Sequence, residues 1–407
     1  MLKKLMYCAV VPVLVVLVSL YAADKYMLQK IYQWYPTSGV WHLYGNDVKD
    51  KGITLLNLSV ENNHMIVLGT SELKNMPEYH VISSLTNSYP NQDWPYEVDI
   101  VGEAGAETLV NVIRYGSING IDKVPVMFDS SMTWFVRERY PVAALQKNIS
   151  ELQYYYFMDN PKVSVDTKIK VAKEVEQITR GNALFNELWL NAKTKSSGAL
   201  TDRLLGVVLE PYYRSRKWFL TYRDHWRTFK LLQHNKGKYH PATHQFDWEK
   251  DESKYSEQAQ SLCFDNSDHF YIYKENWKRP WGSRKNDWGK LKNHYSDLDY
   301  SHSNGYYYHQ LFLRTAKELG GRPLVLLCSV NGYAFDYVGL GYSKRKVYFD
   351  KMTEIQEKEK MPYINSNYLE YIPYVFQDEA HYTSKGWFIL NREITNYFKE
   401  NWEIAPN

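Results

Sequence analysis

Apolar and polar positions divide the chain unevenly. An uncharged run, "LMYCAVVPVLVVLVSLYAA", spans 19 residues from Leu5 to Ala23 and follows Lys3 and Lys4. As a helix it would reach about 28 Å at roughly 1.5 Å per residue, close to the hydrocarbon thickness of a bilayer. A cleaved leader has a shorter apolar stretch and small residues at its end. Here the run ends Leu20-Tyr21-Ala22-Ala23. Residues 1–23 are therefore expected to form an uncleaved single-pass anchor in the cell membrane. Its lysines would stay in the cytoplasm, and residues 24–407 would form an extracytoplasmic domain.

Beyond the anchor, short apolar runs alternate with helical periodicity. Met65–Leu68 reads as a buried strand ending on Gly69. "YEVDIVG", Tyr96 to Gly102, and "DKVPVMFDSS", Asp122 to Ser131, read as two more. Between them "AETLVNVIRYG" has a helical pattern ending at Gly116. Residues 141–195 are helical by their three- and four-residue apolar spacing. From about 196 to 300 the pattern loosens into polar, aromatic and basic sequence. Order returns with a helix stopping at Gly320-Gly321, the strand "RPLVLLCSV", and a loop followed by a final helix from about Ser384. This alternation predicts an α/β fold, a parallel sheet flanked by helices with a large inserted segment.

Composition refines this only in places. A chain of 407 residues with 44% hydrophobic content can bury a large core. Outside the anchor 47 basic residues face 46 acidic ones, so net charge names no partner. Cys8 lies in the anchor, and Cys263 and Cys328 are too few to make a disulfide scaffold; their pairing stays open. Aromatics are abundant, with 36 tyrosines and 13 tryptophans, and serve either a core or a contact surface.

The candidate chemistry starts at "HMIVLGTSELKN", residues 64–75. A strand that breaks on Gly-Thr-Ser-Glu either caps a following helix through Thr70 or Ser71, or presents a nucleophilic serine at the carboxyl edge of a parallel sheet. A serine nucleophile needs a base and an orienting acid. "QDEAHYTSKGW" supplies Asp378 and His381, three apart, in a loop before the last helix. A second such pair, Asp299 and His302, shows that the spacing alone is weak. The order Ser, Asp, His also occurs in α/β hydrolases, but their G-x-S-x-G elbow is absent because Leu73 replaces the closing glycine. Oxyanion donors are expected from the Ser71 N–H and from Gly102 or Gly105 in "VGEAGAETL", glycines that a turn before a helix would explain equally.

Taken in order, "VLGTSEL", "VGEAGAETL", "DSSMTWF", "VNGYAFDYVGL" and "DEAHYTSKGW" resemble the DltD family, from the anchor to about residue 395. These are membrane-anchored extracytoplasmic proteins of teichoic acid D-alanylation in Gram-positive bacteria, similar to the wider SGNH esterase class. The resemblance implies an SGNH-hydrolase-like sheet with Ser71 as nucleophile, His381 as general base, Asp378 as its acid, and Ser71 with Gly102 or Gly105 as oxyanion hole. It places Glu72, Thr133 and Trp134 at the substrate. Glu72 either holds a neighbouring loop or binds the D-alanyl ammonium. Two departures stand out: Thr133 replaces a longer amide, and "HYTSKGW" lacks the usual Leu-Gly after the histidine.

The implied reaction is D-alanyl transfer to lipoteichoic acid through a D-alanyl-serine ester, with no cofactor and no metal. The alternatives are a D-alanyl esterase or thioesterase, and a non-catalytic teichoic-acid-binding partner of a membrane acyltransferase. The resemblance implies a multi-spanning membrane O-acyltransferase as partner. "YYRSRKWFLTYRDHWRTFK", 212–230, has six basic residues against one acid, and "KENWKRPWGSRKNDWGKLK", 274–292, seven against two. These segments either grip a polyanionic polymer or lipid headgroups, or are solvated helix faces; no nucleic acid is expected outside the cell.

Overall fold

The computed structural model describes residues 2–75, 96–136, 142–239, 248–280 and 287–402, with the backbone alone at 2–9 and 75. Its principal helices are α1 (Leu2–Trp34), α2 (Asp47–Lys51), α3 (Thr54–Glu61), α4 (Thr108–Ser117), α5 (Glu151–Asp159), α6 (Asn186–Ser196), α7 (Leu200–Asn235), α8 (Asn304–Leu319), α9 (Gly332–Tyr337), α10 (Tyr342–Glu359) and α11 (Ser384–Asn401). The strands are β1 (Met65–Gly69), β2 (Val98–Gly102), β3 (Val126–Ser131), β4 (Leu324–Cys328) and β5 (Tyr363–Asn365).

The five strands form one parallel sheet in the order β2-β1-β3-β4-β5. Successive side chains of a strand point to opposite faces. Ile66, Leu68, Val126, Phe128, Val325 and Leu327 enter one core, against α4, α8 and α10. Met65, Val67, Met127, Leu324 and Leu326 enter the other, where α11 brings Trp387, Leu390, Ile394 and Phe398. Because both faces are covered, the strands read as unbroken apolar runs instead of alternating ones. From β1 the chain crosses to β2 on one side and then to β3 on the other. The loops after these strands therefore diverge at the carboxyl end of β1, the position at which open α/β sheets bind their ligands.

Helix α1 does not stop where its apolar run stops. Residues Val10–Tyr21 are largely exposed, and the helix is long and apolar enough to cross a membrane. It then continues from Asp24 to Trp34, burying Met27 and Ile31 against Tyr35, Trp41, Leu55, Phe229 and Leu232. The Tyr35 hydroxyl is bonded to Ser59 Oγ at 2.8 Å, Ser59 donates to Asp99 Oδ2 at 2.6 Å, and Lys49 Nζ donates to Asp99 Oδ1 at 2.9 Å. This buried chain joins the end of α1, through α3, to β2 and α2.

Two elements depart from the sequence reading. The stretch that looked loosest, after residue 196, contains the 36-residue α7. As far as Leu220 its buried positions, Gly206, Tyr213 and Leu220, recur only every seventh residue, too sparse a seam to produce helical periodicity; burial at Asp224, Thr228, Phe229 and Leu232 thickens only toward its end. Strand β5 is three residues long and half-buried, and so left no apolar run to read. Residues 281–286 of the second basic segment lie outside the described residues.

One contact fixes α7 to the sheet. Asp224 Oδ2 accepts from Ile53 N at 3.0 Å, Thr54 N at 2.9 Å and Thr54 Oγ1 at 2.6 Å, capping α3, which feeds β1. Replacing Asp224 by Ala strands those buried donors. Urea unfolding of D224A is expected to show a loss of about 2–3 kcal/mol.

Candidate active site

The serine side grows from strand ends that demand glycine. A Cβ on Gly69 would lie 2.6 Å from Leu73 Cδ1 and 2.8 Å from Asp129 Cβ, and one on Gly102 3.1 Å from the Gly69 carbonyl. Gly105 has φ +80°, a left-handed turn that favours glycine. Ser71, half-buried, opens a five-residue 3₁₀ turn, Ser71–Asn75; residues 76–95 beyond it lie outside the described residues.

Glu72 is buried and accepts from the hydroxyls of Thr70, at the end of β1, and Ser131, at the end of β3. Ser71 Oγ lies 3.5 Å from Glu72 Oε2. Ser131 Oγ also meets Thr133 Oγ1 at 2.7 Å, and Trp134 Nε1 approaches Thr70 Oγ1 at 3.5 Å. Ser71, Glu72, Thr133 and Trp134 thus belong to one hydrogen-bonded cluster. Beneath it lies Asp129, fully buried on β3, with Cys328 of β4 donating to its carboxyl. Burial, reinforced by the Glu72 charge, pushes Asp129 up to about 8. Cys263 and Cys328 are both buried and unpaired.

The histidine side is a loop bound to itself. Asp378 Oδ1 accepts from Ala380 N at 2.9 Å and His381 N at 2.8 Å, a turn that sets the three-residue spacing. The His381 ring then lies with Nδ1 2.9 and 2.8 Å from the two Asp378 oxygens. An ionised carboxylate only accepts, so Nδ1 carries the proton donated to it and Nε2 is left bare when the ring is neutral. Asp299, the other candidate acid, accepts instead from Ser301 N at 2.7 Å.

The motif "VNGYAFDYVGL" fastens this loop. Asn331 N donates to the Glu379 carbonyl at 2.9 Å, and Asn331 Nδ2 to the Phe270 carbonyl at 2.8 Å. A Cβ on Gly332 would come 2.7 Å from the Tyr371 ring. Asp336 bonds Arg345 Nη1 at 2.7 Å, and Arg345 grips Glu370 through Nε at 3.0 Å and Nη2 at 2.9 Å. In "HYTSKGW", a Cβ on Gly386 would strike the Val375 carbonyl at 2.5 Å, and Trp387 is core. From the insertion, Tyr273 N and Asn276 Nδ2 both donate to the Gln377 carbonyl at 3.0 Å. Asp129 and Asn331 were not singled out from the sequence, where an Asp in "DSS" and an Asn-Gly look like turn residues, and Cys328 was weighed there only for a disulfide.

Serine and histidine sides share one edge. The Glu72 charge acts on His381, and His381 acts on Asp129. Among the described residues no hydrogen bond joins Ser71 Oγ to His381; the hydroxyl's partner is Glu72. Burial opposes a charge on His381, but Asp378, aided by Glu72 and Glu379, outweighs it and lifts the ring to about 9. Burial would raise Asp378, yet His381 and two backbone N–H groups hold it below its ordinary value. The histidine's share of the pair's stability is present below 6.5 and lost as pH climbs through about 9; the aspartate's is lost as pH falls through its lowered value. In a histidine NMR titration His381 is expected to lose its proton near pH 9, and in D378N to move back toward 6.5.

Comparison with known proteins identifies the family. A family model described as DltD protein matches residues 42–399. Protein DltD of Bacillus subtilis (strain 168) is 22% identical over 356 residues, covering 83% of this chain and 82% of that one. The chain belongs to the DltD family.

Proposed function

We propose that this protein transfers D-alanyl groups to lipoteichoic acid at the outer face of the cytoplasmic membrane through a Ser71–His381–Asp378 triad. Membership of the DltD family implies involvement in teichoic acid D-alanylation. The observation that carries the chemistry is the His381 ring, fixed by Asp378 through Nδ1 at the sheet edge where Ser71 stands. Helix α1 would be the single-pass anchor, with Lys3 and Lys4 inside and the sheet outside.

In this reaction His381 Nε2 takes the Ser71 proton as Oγ attacks an activated D-alanyl carbonyl. The tetrahedral oxyanion is received by the N–H of Ser71 and by Gly102 or Gly105. It collapses to the D-alanyl-serine ester as the leaving group departs with the proton from His381. A polyol hydroxyl of the polymer then attacks the ester, His381 taking its proton and returning it to Ser71. Glu72, bound by hydroxyls on both sides, holds the β1 and β3 loops together and presents negative charge toward the D-alanyl ammonium; Thr133 and Trp134 line the same wall. A multi-spanning membrane O-acyltransferase is the partner that fits a single-pass anchor.

The Ser71–Glu72 contact favours a second reading, in which the cluster binds teichoic acid for a membrane acyltransferase and performs no acylation. Cells carrying S71A separate the two. Catalysis predicts that wall D-alanine falls by about 10³-fold or more relative to the active protein, with S71A still present at normal level. Unchanged D-alanine would support the binding role. Catalysis also predicts a rate that climbs with pH as His381 loses its proton, levelling off above about 9. That profile is read on purified protein with a D-alanyl ester donor.

A further inference from the structure

The basic, aromatic segment singled out in the sequence proves to be part of one helix, α7, and its outward face has a pattern of its own. Leu204, Val208, Tyr212, Phe219 and Trp226 follow at intervals of four, four, seven and seven residues, all between 44% and 74% exposed. Those intervals place them on one side of the helix, opposite the buried seam of Gly206, Tyr213 and Leu220. The strip is roughly 33 Å long at 1.5 Å per residue. Its borders are basic: Arg203, Arg214, Arg223 and Arg227 are exposed beside it. The helix's acids lie off the strip: Asp224 is buried under α3, Asp202 pairs with Lys193 of α6, and Glu210 pairs with Lys195 of α6 and with Arg214 on the border.

Contacts with α1 show where this face points. Asp24 Oδ1 meets His225 Nδ1 at 2.6 Å, the Trp34 and Phe229 rings lie 5.2 Å apart, and Lys236 Nζ sits 5.0 Å from the Trp34 ring. Gly237 N then donates to Thr37 Oγ1 at 3.3 Å. Later residues of one helix meet later residues of the other, so the two run in the same direction. Asp24 follows directly on the apolar run. Traced backward from His225, α7 therefore leads toward the side from which the anchor arrives.

We infer that the outward face of α7 beds into the lipid headgroup and upper acyl region of the membrane that α1 spans. The occupant is an anionic lipid surface. Apolar and aromatic side chains would enter the interface, and the arginines along both borders would reach phosphate groups. This rests on α1 being the anchor. Continuity with α1 and the absence of acids from the strip favour lipid over a protein partner or the polymer chain.

Nitroxide labels on single cysteines test it in the full-length protein, with Cys8 replaced by Ser and the buried Cys263 and Cys328 retained. V208C, F219C, L17C in the anchor and K358C on the exposed side of α10 are reconstituted in phosphatidylglycerol–phosphatidylcholine vesicles. Power saturation then compares access to oxygen with access to a nickel chelate. The expected result is loss of nickel access at 208 and 219, matching 17, while 358 stays open. Labels at 208 and 219 as open as 358, with 17 shielded, would overturn the inference and leave the anchor intact. An open 17 would remove the anchor itself, and the inference with it.

Discussion

The buried ion pair between Arg345 and Glu370 is the fastening on which the rest of the site depends. Both side chains are wholly removed from solvent, and the guanidinium forks onto both carboxylate oxygens. Such a pair adds little net stability over an apolar filling, but losing one member leaves an uncompensated charge, a penalty of about 3–5 kcal/mol. Its value here is geometric. Glu370 opens the loop that ends in Asp378 and His381, and Arg345 comes from α10, packed on the sheet. The Glu370 carbonyl also receives Gly332 N at 2.8 Å, so the same residue grips α9 and α10 together. The loop reaches the carboxyl end of β1 because three separate elements hold it by defined bonds.

On the serine side the organising device is a stack of carboxyls. Glu72 ties the ends of β1 and β3 through hydroxyls, and Asp129 lies below it against Cys328. Burial first, and the Glu72 charge second, push Asp129 up to about 8, so it holds its proton into the neutral range. Glu72 and Glu379 add their charges to that of Asp378 near His381. Those added charges are part of the reason the ring resists losing its proton.

Much of this was legible in the chain. Strands β1 to β4, helices α4 and α8 and the start of α11 announce themselves because burial on both faces of a parallel sheet leaves unbroken apolar runs closed by Gly or Ser. Ser71, Asp378 and His381 were nominated through motif order, since neither a Gly-Thr-Ser turn nor an Asp-x-x-His spacing is distinctive alone. What escaped was held by long-range contact. No local pattern tells that Asn331 will bind the backbone two residues before His381, or that Asp129 will face Glu72. The glycines at 69, 102 and 386 are explained by how near a neighbouring atom lies, a fact about packing. Helix α7 escaped because burial along its first half is a thin seam and its exposed face is apolar, reversing the usual contrast.

The unbroken course of α1 has a mechanical consequence. Eleven residues past Ala23, about 16 Å of helix, run straight into a packed core and end on a tyrosine whose hydroxyl is tied through Ser59 and Asp99 to the sheet. There is no slack hinge in this attachment. With α1 as the proposed anchor, a domain on such a stalk would stand at one height above the bilayer, and the proposed polymer substrate would be drawn past it.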